Sequence, residues 1–190
     1  SKHIWNSHDT RDPKIFWYTS GNHWVMVLNE RDGHSIYTSP DLKSWKYESH
    51  VTGFWECPEL FELAVDGNPN NKKWVMYGAT GTYMLGSFDG KTFIPESGKY
   101  FYTKGSLYAG QTYTNIPNSD GRRIQIAWGR ISHPSMPFNG MMLLPTELTL
   151  HTTKEGIRLF SNPIKETKQL FTPLKKWASL TSDNANDHLK

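Results

Sequence analysis

Glu56 lies in the run Phe54-Trp55-Glu56-Cys57-Pro58-Glu59-Leu60-Phe61, between an indole and the only cysteine of the chain, directly before a proline and a segment that reads as a strand. Its carboxyl group therefore stands at a strand's mouth. Flanking apolar rings remove water from such a group, which penalises the ionised form and raises its pKa toward the range where it can donate a proton near neutral pH. The chemistry this suggests is general acid catalysis; the competing reading is an ordinary solvated surface glutamate. Asp12, in Arg11-Asp12-Pro13-Lys14, occupies a similar position before another strand-like run. Taken alone it reads as an aspartate capping a turn ahead of Pro13. Glu59 and Glu62 read as outward-facing strand charges.

Strands must bring these groups together, because no segment shows a sustained helical period. Short runs rich in Val, Ile, Tyr, Phe and Trp recur with turn chemistry between them, so the sequence is all-β. Asp32-Gly33, Asp66-Gly67, Asp89-Gly90, Asp120-Gly121 and Asn139-Gly140 are dipeptides suited to the positive φ of tight hairpins. The expected strands fall into groups of four. The first group runs Lys14 to Tyr18, Trp24 to Asn29, Ser35 to Thr38 and Trp45 to Ser49. The second runs Leu60 to Val65, Lys73 to Gly78, Tyr83 to Ser87 and Thr92 to Pro95. The third runs Tyr108 to Thr114, Arg123 to Trp128, Met141 to Leu150 and Gly156 to Phe160. A four-stranded unit repeating every roughly 40 to 50 residues is the pattern of a β-propeller blade, with a β-sandwich as the alternative. In a propeller, the starts of the innermost strands face one pocket, so Asp12, Glu56 and the segment Tyr108 to Gln111 would meet there. Three blades do not close a ring, since propellers have ~4 to 8. Residues 1–166 thus read as a partial propeller. Residues 167–190 read as a linker or the start of a further module, with a mobile end from Thr181. Open sheet edges invite association with a complementary fragment or with a second copy.

Composition narrows the function classes. The 190 residues carry 21 basic and 18 acidic side chains, and pairs such as Lys72-Lys73 and Arg122-Arg123 are dispersed, which argues against a nucleic-acid partner. The longest apolar run, about Trp24 to Leu28, is far short of the ~20 residues a membrane helix needs. The start, Ser1 to Trp5, has neither an initiating Met nor an apolar leader, so compartment is not read from it. One cysteine excludes an internal disulfide and makes Cys57 a buried thiol by expectation. The eight histidines form no H-x-x-x-H pair, no G-x-S-x-G elbow is present and no phosphate-cradling loop appears, so neither a metal site nor a cofactor is expected. The aromatic share of 14% is high, and Trp and Tyr faces suit stacking on sugar rings.

Arg11-Asp12-Pro13-Lys14 together with Trp55-Glu56-Cys57-Pro58-Glu59 resembles the paired signatures of glycoside hydrolase family 32, the β-fructofuranosidases that include invertases, inulinases and levanases. Supporting similarities are Tyr37 to Trp45, Tyr108-Ala109-Gly110-Gln111-Thr112-Tyr113, Arg123 to Trp128 and Leu144 to Leu148. The resemblance covers roughly residues 1 to 166. It implies a five-bladed propeller, followed in complete enzymes by a β-sandwich, and a retaining mechanism on fructans or sucrose. By the same resemblance Glu56 is the acid/base and Asp12 the aspartate that binds fructose hydroxyls and steadies the transition state. Arg11 supports the carboxylates or the sugar, Tyr108 and Gln111 contact substrate, and Trp128 offers a stacking wall. An extracellular or periplasmic location follows from the family alone. One departure matters: the family's nucleophile is the aspartate of a W-M-N-D-P-N-G-type motif, which this sequence lacks, and Asp9 has no such surroundings. The expectation is that about two blades lie upstream and that this polypeptide alone does not hydrolyse fructosides. A sugar-binding pseudoenzyme is the alternative.

Overall fold

The computed structural model describes residues 9–171 and 181. The expected mobile end from Thr181, apart from that residue, lies outside them. Thirteen strands and two short 3-10 turns, Thr19–Gly21 and Lys165–Leu170, make up the regular structure among the described residues, and the chain is all-β.

β1 (Arg11–Tyr18), β2 (His23–Glu30), β3 (Gly33–Ser39) and β4 (Lys46–Thr52) form a four-stranded antiparallel sheet in chain order. β5 (Glu59–Val65), β6 (Asn68–Tyr77), β7 (Thr82–Phe88) and β8 (Phe93–Phe101) repeat that meander. The third group comprises β9 (Leu107–Thr112), β10 (Arg123–Gly129), β11 (Met141–Met142), β12 (Thr146–Thr153) and β13 (Gly156–Pro163). Here β9 pairs with β10, β10 with β12 and β12 with β13, while β11 pairs with the end of β10. The second and third groups share one sheet through a single parallel pairing, Leu150 with Val65. The long strand expected from Met141 to Leu150 is therefore two strands. Pro145 has no amide hydrogen to give a ladder, and the chain steps from one pairing to the next just before it.

Turn chemistry acts where the dipeptides placed it. Asp66 and Gly67 both take positive φ, +53° and +73°, which is the hairpin geometry that matches strand twist. At Asp32-Gly33 the positive φ falls on Arg31 instead, and Gly33 serves a different end: a Cβ there would run into the Val51 carbonyl.

Period-two alternation explains how the groups stack. Val25, Val27, Ile36 and Val51 pack with Leu60, Met76, Phe88 and Phe93. The other face of the second group supplies Phe61, Val75, Tyr77, Tyr83 and Leu85, which pack with Leu148, Leu150 and Leu159. Adjacent residues of β5, Leu60 and Phe61, are therefore both buried, each on its own side. Burying such a side chain contributes about 1.5–3 kcal/mol, so these two seams hold the three groups together.

Candidate active site

The first strand of each group ends its approach at one place. β1 opens with a register irregularity between Arg11 and Lys14, and Asp12 within it takes φ +59°. Ahead of β5, Glu56 and Cys57 take φ +48° and +45°, and in β9 Ala109 takes +52°. Each non-glycine residue held there costs about 1–3 kcal/mol, so surrounding bonds must fix it. They do. The Glu56 amide donates to Asn29 Oδ1 at 2.7 Å. The Ala79 amide reaches the carbonyls of Trp55 and Glu56, both at 3.0 Å, and the Ala109 amide donates to the Ala79 carbonyl at 3.1 Å. Gly78 makes this close approach feasible, since a Cβ there would stand 2.9 Å from the Trp55 carbonyl.

These turns bring the acidic groups together. Asp12 Oδ2 accepts the Cys57 amide at 2.9 Å, with the thiol Sγ 3.6 Å away. Arg11 Nη1 donates to Glu56 Oε1 at 3.0 Å, and its Nη2 donates to Asp9 at 2.7 Å. The Tyr108 hydroxyl donates to Glu56 Oε2 at 2.5 Å. Burial, then the bond to Glu56, pushes the Tyr108 phenol up to about 12, so it remains a donor. Burial, then the Asp12 charge, pushes the Cys57 thiol up to about 12 as well, and the half-buried sulfur stays protonated. Trp128 stands edge-on to Tyr108 with ring centroids 6.2 Å apart and is 46% exposed. The Arg130 guanidinium lies 4.1 Å above the Tyr108 ring.

The structure thus gathers five of the six residues singled out in the sequence: Arg11, Asp12, Glu56, Tyr108 and Trp128. Gln111 differs, its amide turned back to the Gly110 carbonyl at 3.4 Å. The surroundings of Glu56 also differ from the apolar niche expected of them. The Trp55 residue is 43% exposed, and the carboxyl group, 19% exposed, rests between a guanidinium and a phenol. The positive φ of the turn aims the carboxyl group inward to these partners.

Glu59 corrects the sequence reading outright. It is not an outward-facing charge but wholly buried, because the start of β5, Glu59 to Phe61, is covered on both faces. Its Oε1 accepts from Lys14 Nζ and from the Thr112 amide, each at 2.7 Å, and its Oε2 accepts from the Thr112 hydroxyl at 2.9 Å. Burial pushes its carboxyl group up against the opposing pull of Lys14 and Thr112. Glu62 is exposed as expected and pairs with Lys72 at 2.9 Å. Asn29, Gly78 and Arg130 were also missed; only Asn29 carried a signal, as a polar residue closing the apolar run Val25 to Leu28.

With this geometry in view, the similarities to known proteins are informative. The N-terminal domain of glycosyl hydrolases family 32 matches residues 1–163. A levanase of Bacillus subtilis is 38% identical over 95% of this chain, which covers 31% of that protein. An invertase of Wickerhamomyces anomalus is 31% identical over 96% of the chain and 39% of its own length. An extracellular exo-inulinase of Meyerozyma guilliermondii is 34% identical over 74% of the chain and 32% of its own length. Among solved structures, a β-fructofuranosidase from Schwanniomyces occidentalis complexed with fructosyl-erythritol superposes with a TM-score of 0.72 at 28% identity, over 83% of this chain and 36% of that one. The chain therefore spans roughly a third of the length of the curated relatives it matches. A match across residues 1–163, with Asp12 and Glu56 drawn into one site, makes this chain a member of glycosyl hydrolase family 32.

Proposed function

We propose that the site belongs to a retaining hydrolase of β-fructofuranosidic bonds, built on three adjacent blades of a five-bladed β-propeller within residues 1–166, with 167–190 leading toward a further module. The reading rests on one observation: Asp12 accepts the Cys57 amide at 2.9 Å, one residue beyond Glu56. In this mechanism a carboxylate attacks the anomeric carbon of fructose while Glu56 gives its proton to the leaving oxygen. Glu56 then takes a proton from water as the water displaces the enzyme carboxylate. Arg11 and Tyr108, each bonded to one carboxyl oxygen of Glu56, fix its orientation through both steps. Asp12 accepts hydrogen bonds from fructose hydroxyls and stabilises the positive charge that grows at the ring. Trp128 offers its exposed ring to the sugar.

The attacking carboxylate comes from outside this sequence, which has no W-M-N-D-P-N-G-type motif, so this chain alone turns nothing over. Fructans or sucrose as substrates are supported by the levanase, inulinase and invertase relatives, and an extracellular site of action by the extracellular inulinase among them. The absence of the motif from this sequence is also what motivates the alternative reading, a sugar-binding protein without turnover.

Both readings require fructose to bind. Titration of the chain with fructose, followed by the change in total tryptophan emission and by its loss in Trp128→Phe, is expected to saturate in the millimolar range. Asp12→Asn is expected to weaken binding about tenfold, the loss of one charged hydrogen-bond acceptor. Absence of any saturable change would overturn both.

A further inference from the structure

Behind the carboxylates, the same three strands meet a second time. Lys14 follows Asp12 by two residues on β1, Glu59 follows Glu56 by three at the start of β5, and Thr112 follows Tyr108 by four on β9. Glu59 is wholly buried and takes three hydrogen bonds, all from the other two strands: one from Lys14 Nζ, one from the Thr112 amide and one from the Thr112 hydroxyl. Lys14 Nζ completes the triangle with a bond to the Thr112 carbonyl at 2.7 Å. A single carboxylate thus spans three groups of strands just beneath the three residues whose spacing sets the site.

Stability does not account for a charge here. A buried ion pair is often no better than apolar residues of the same volume, because desolvation offsets its attraction. What it adds is direction. Apolar seams such as Leu60 against Val25 tolerate small slides, whereas hydrogen bonds hold donor and acceptor within a narrow distance and angle window. Reacting groups need placement within about 0.5 Å.

We propose that Glu59 is a positioning residue for the reaction: through Lys14 and Thr112 it holds the mouths of β1, β5 and β9 at one spacing, so that Asp12 stays on the Cys57 amide and Tyr108 on Glu56. The link to a reaction rests on the hydrolase reading above; the spacing role can be tested without it.

Cys57, the only thiol, reports that spacing. The charged groups facing it are Asp12, Glu56 and Glu59, and after burial the nearby Asp12 is what most disfavours its thiolate. Glu59→Asp keeps the charge but withdraws it by one methylene, which by itself lowers the thiol slightly, so Thr112→Val, which leaves the Glu59 side chain in place, separates spacing from charge. If Glu59 sets the spacing, the β1 mouth shifts, Asp12 leaves the sulfur and the thiol titrates lower. Reaction of the folded chain with an aromatic disulfide reagent at pH 8 is then expected to run about threefold faster per pKa unit, the tenfold gain in thiolate fraction being partly offset by lower nucleophilicity. Thr112→Val, which removes only one hydroxyl donor, is expected to give a smaller rise in the same direction, and it decides the matter if Glu59→Asp does not fold. Leu85→Ala, a core change on β7, which carries none of the site residues, controls for general loosening and is expected to leave the pH profile of the thiol unchanged.

An unchanged profile in the folded variants, or an equal change in Leu85→Ala, would overturn the proposal. These results are separable from the fructose titration. A wild-type chain that binds no fructose removes the hydrolase reading, while an unchanged thiol with fructose binding intact removes only the role of Glu59.

Discussion

Asp12, Glu56, Cys57 and Ala109 all hold left-handed backbone, and at this scale the site is a set of strained residues fixed by polar bonds. One residue beneath it titrates in a useful range. His34 on β3 is buried, its ring stacked on Phe54 with centroids 5.2 Å apart and planes 12° apart. Burial holds its pKa down at about 3. A value depressed on folding means that the native state favours the neutral ring. The stability it supports is therefore complete above the unfolded value near 6.5 and is lost as pH falls from there toward 3, at roughly 1.4 kcal/mol per unit. His34→Leu should flatten the acid limb of a stability-against-pH curve measured by urea unfolding between pH 6.5 and 4; an unaltered slope would contradict this. That Asp12 and Glu56 would meet was legible, since each stands at the mouth of the first strand of its group. The burial of Glu59 was not, because the alternation rule assumes one wet face and the first three residues of β5 have none.

Among the elements, the approach to β5 is what places the Glu56 carboxyl group between Arg11 and Tyr108. The Trp55–Cys57 turn is held against the end of β6 by the two bonds from Ala79, and Gly78 leaves room for them. Gly78→Val would force its Cβ against the Trp55 and Glu56 carbonyls, at 2.9 and 3.2 Å, so the turn must move. The expected cost is about 1–3 kcal/mol of stability, the usual penalty of overpacking, with a loss of fructose affinity of about tenfold or more. A variant that loses that stability but binds fructose as well as wild type would show that the turn does not set the site. Strand existence was legible from the runs of β-branched and aromatic residues. The bulge at Asp12 was not, since it arises from tertiary demands rather than local preference, whereas the break before Pro145 follows from a proline that cannot donate to a ladder.

For the molecule as a whole, recurrence of turn dipeptides marked several of the strand connections, because a tight hairpin needs residues that tolerate positive φ; the first two groups have the expected four strands and the third has five. The single Leu150–Val65 pairing that joins two groups into one sheet left no trace in the sequence, as one ladder contact imposes no pattern. The central claim also lies at this scale: residues of this chain supply the acid/base and the fructose-binding carboxylate, and a segment outside it supplies the nucleophile. The measurement that tests it is hydrolysis of levan, inulin and sucrose by two proteins. One is this chain alone; the other is the same chain joined to an upstream segment bearing a W-M-N-D-P-N-G-type motif, and each is also made with Glu56→Gln. The account predicts hydrolysis only by the joined protein, reduced about 10²–10⁴-fold by Glu56→Gln, the usual contribution of a general acid/base. Hydrolysis by this chain alone, or a joined protein whose Glu56→Gln variant keeps its rate, would contradict it.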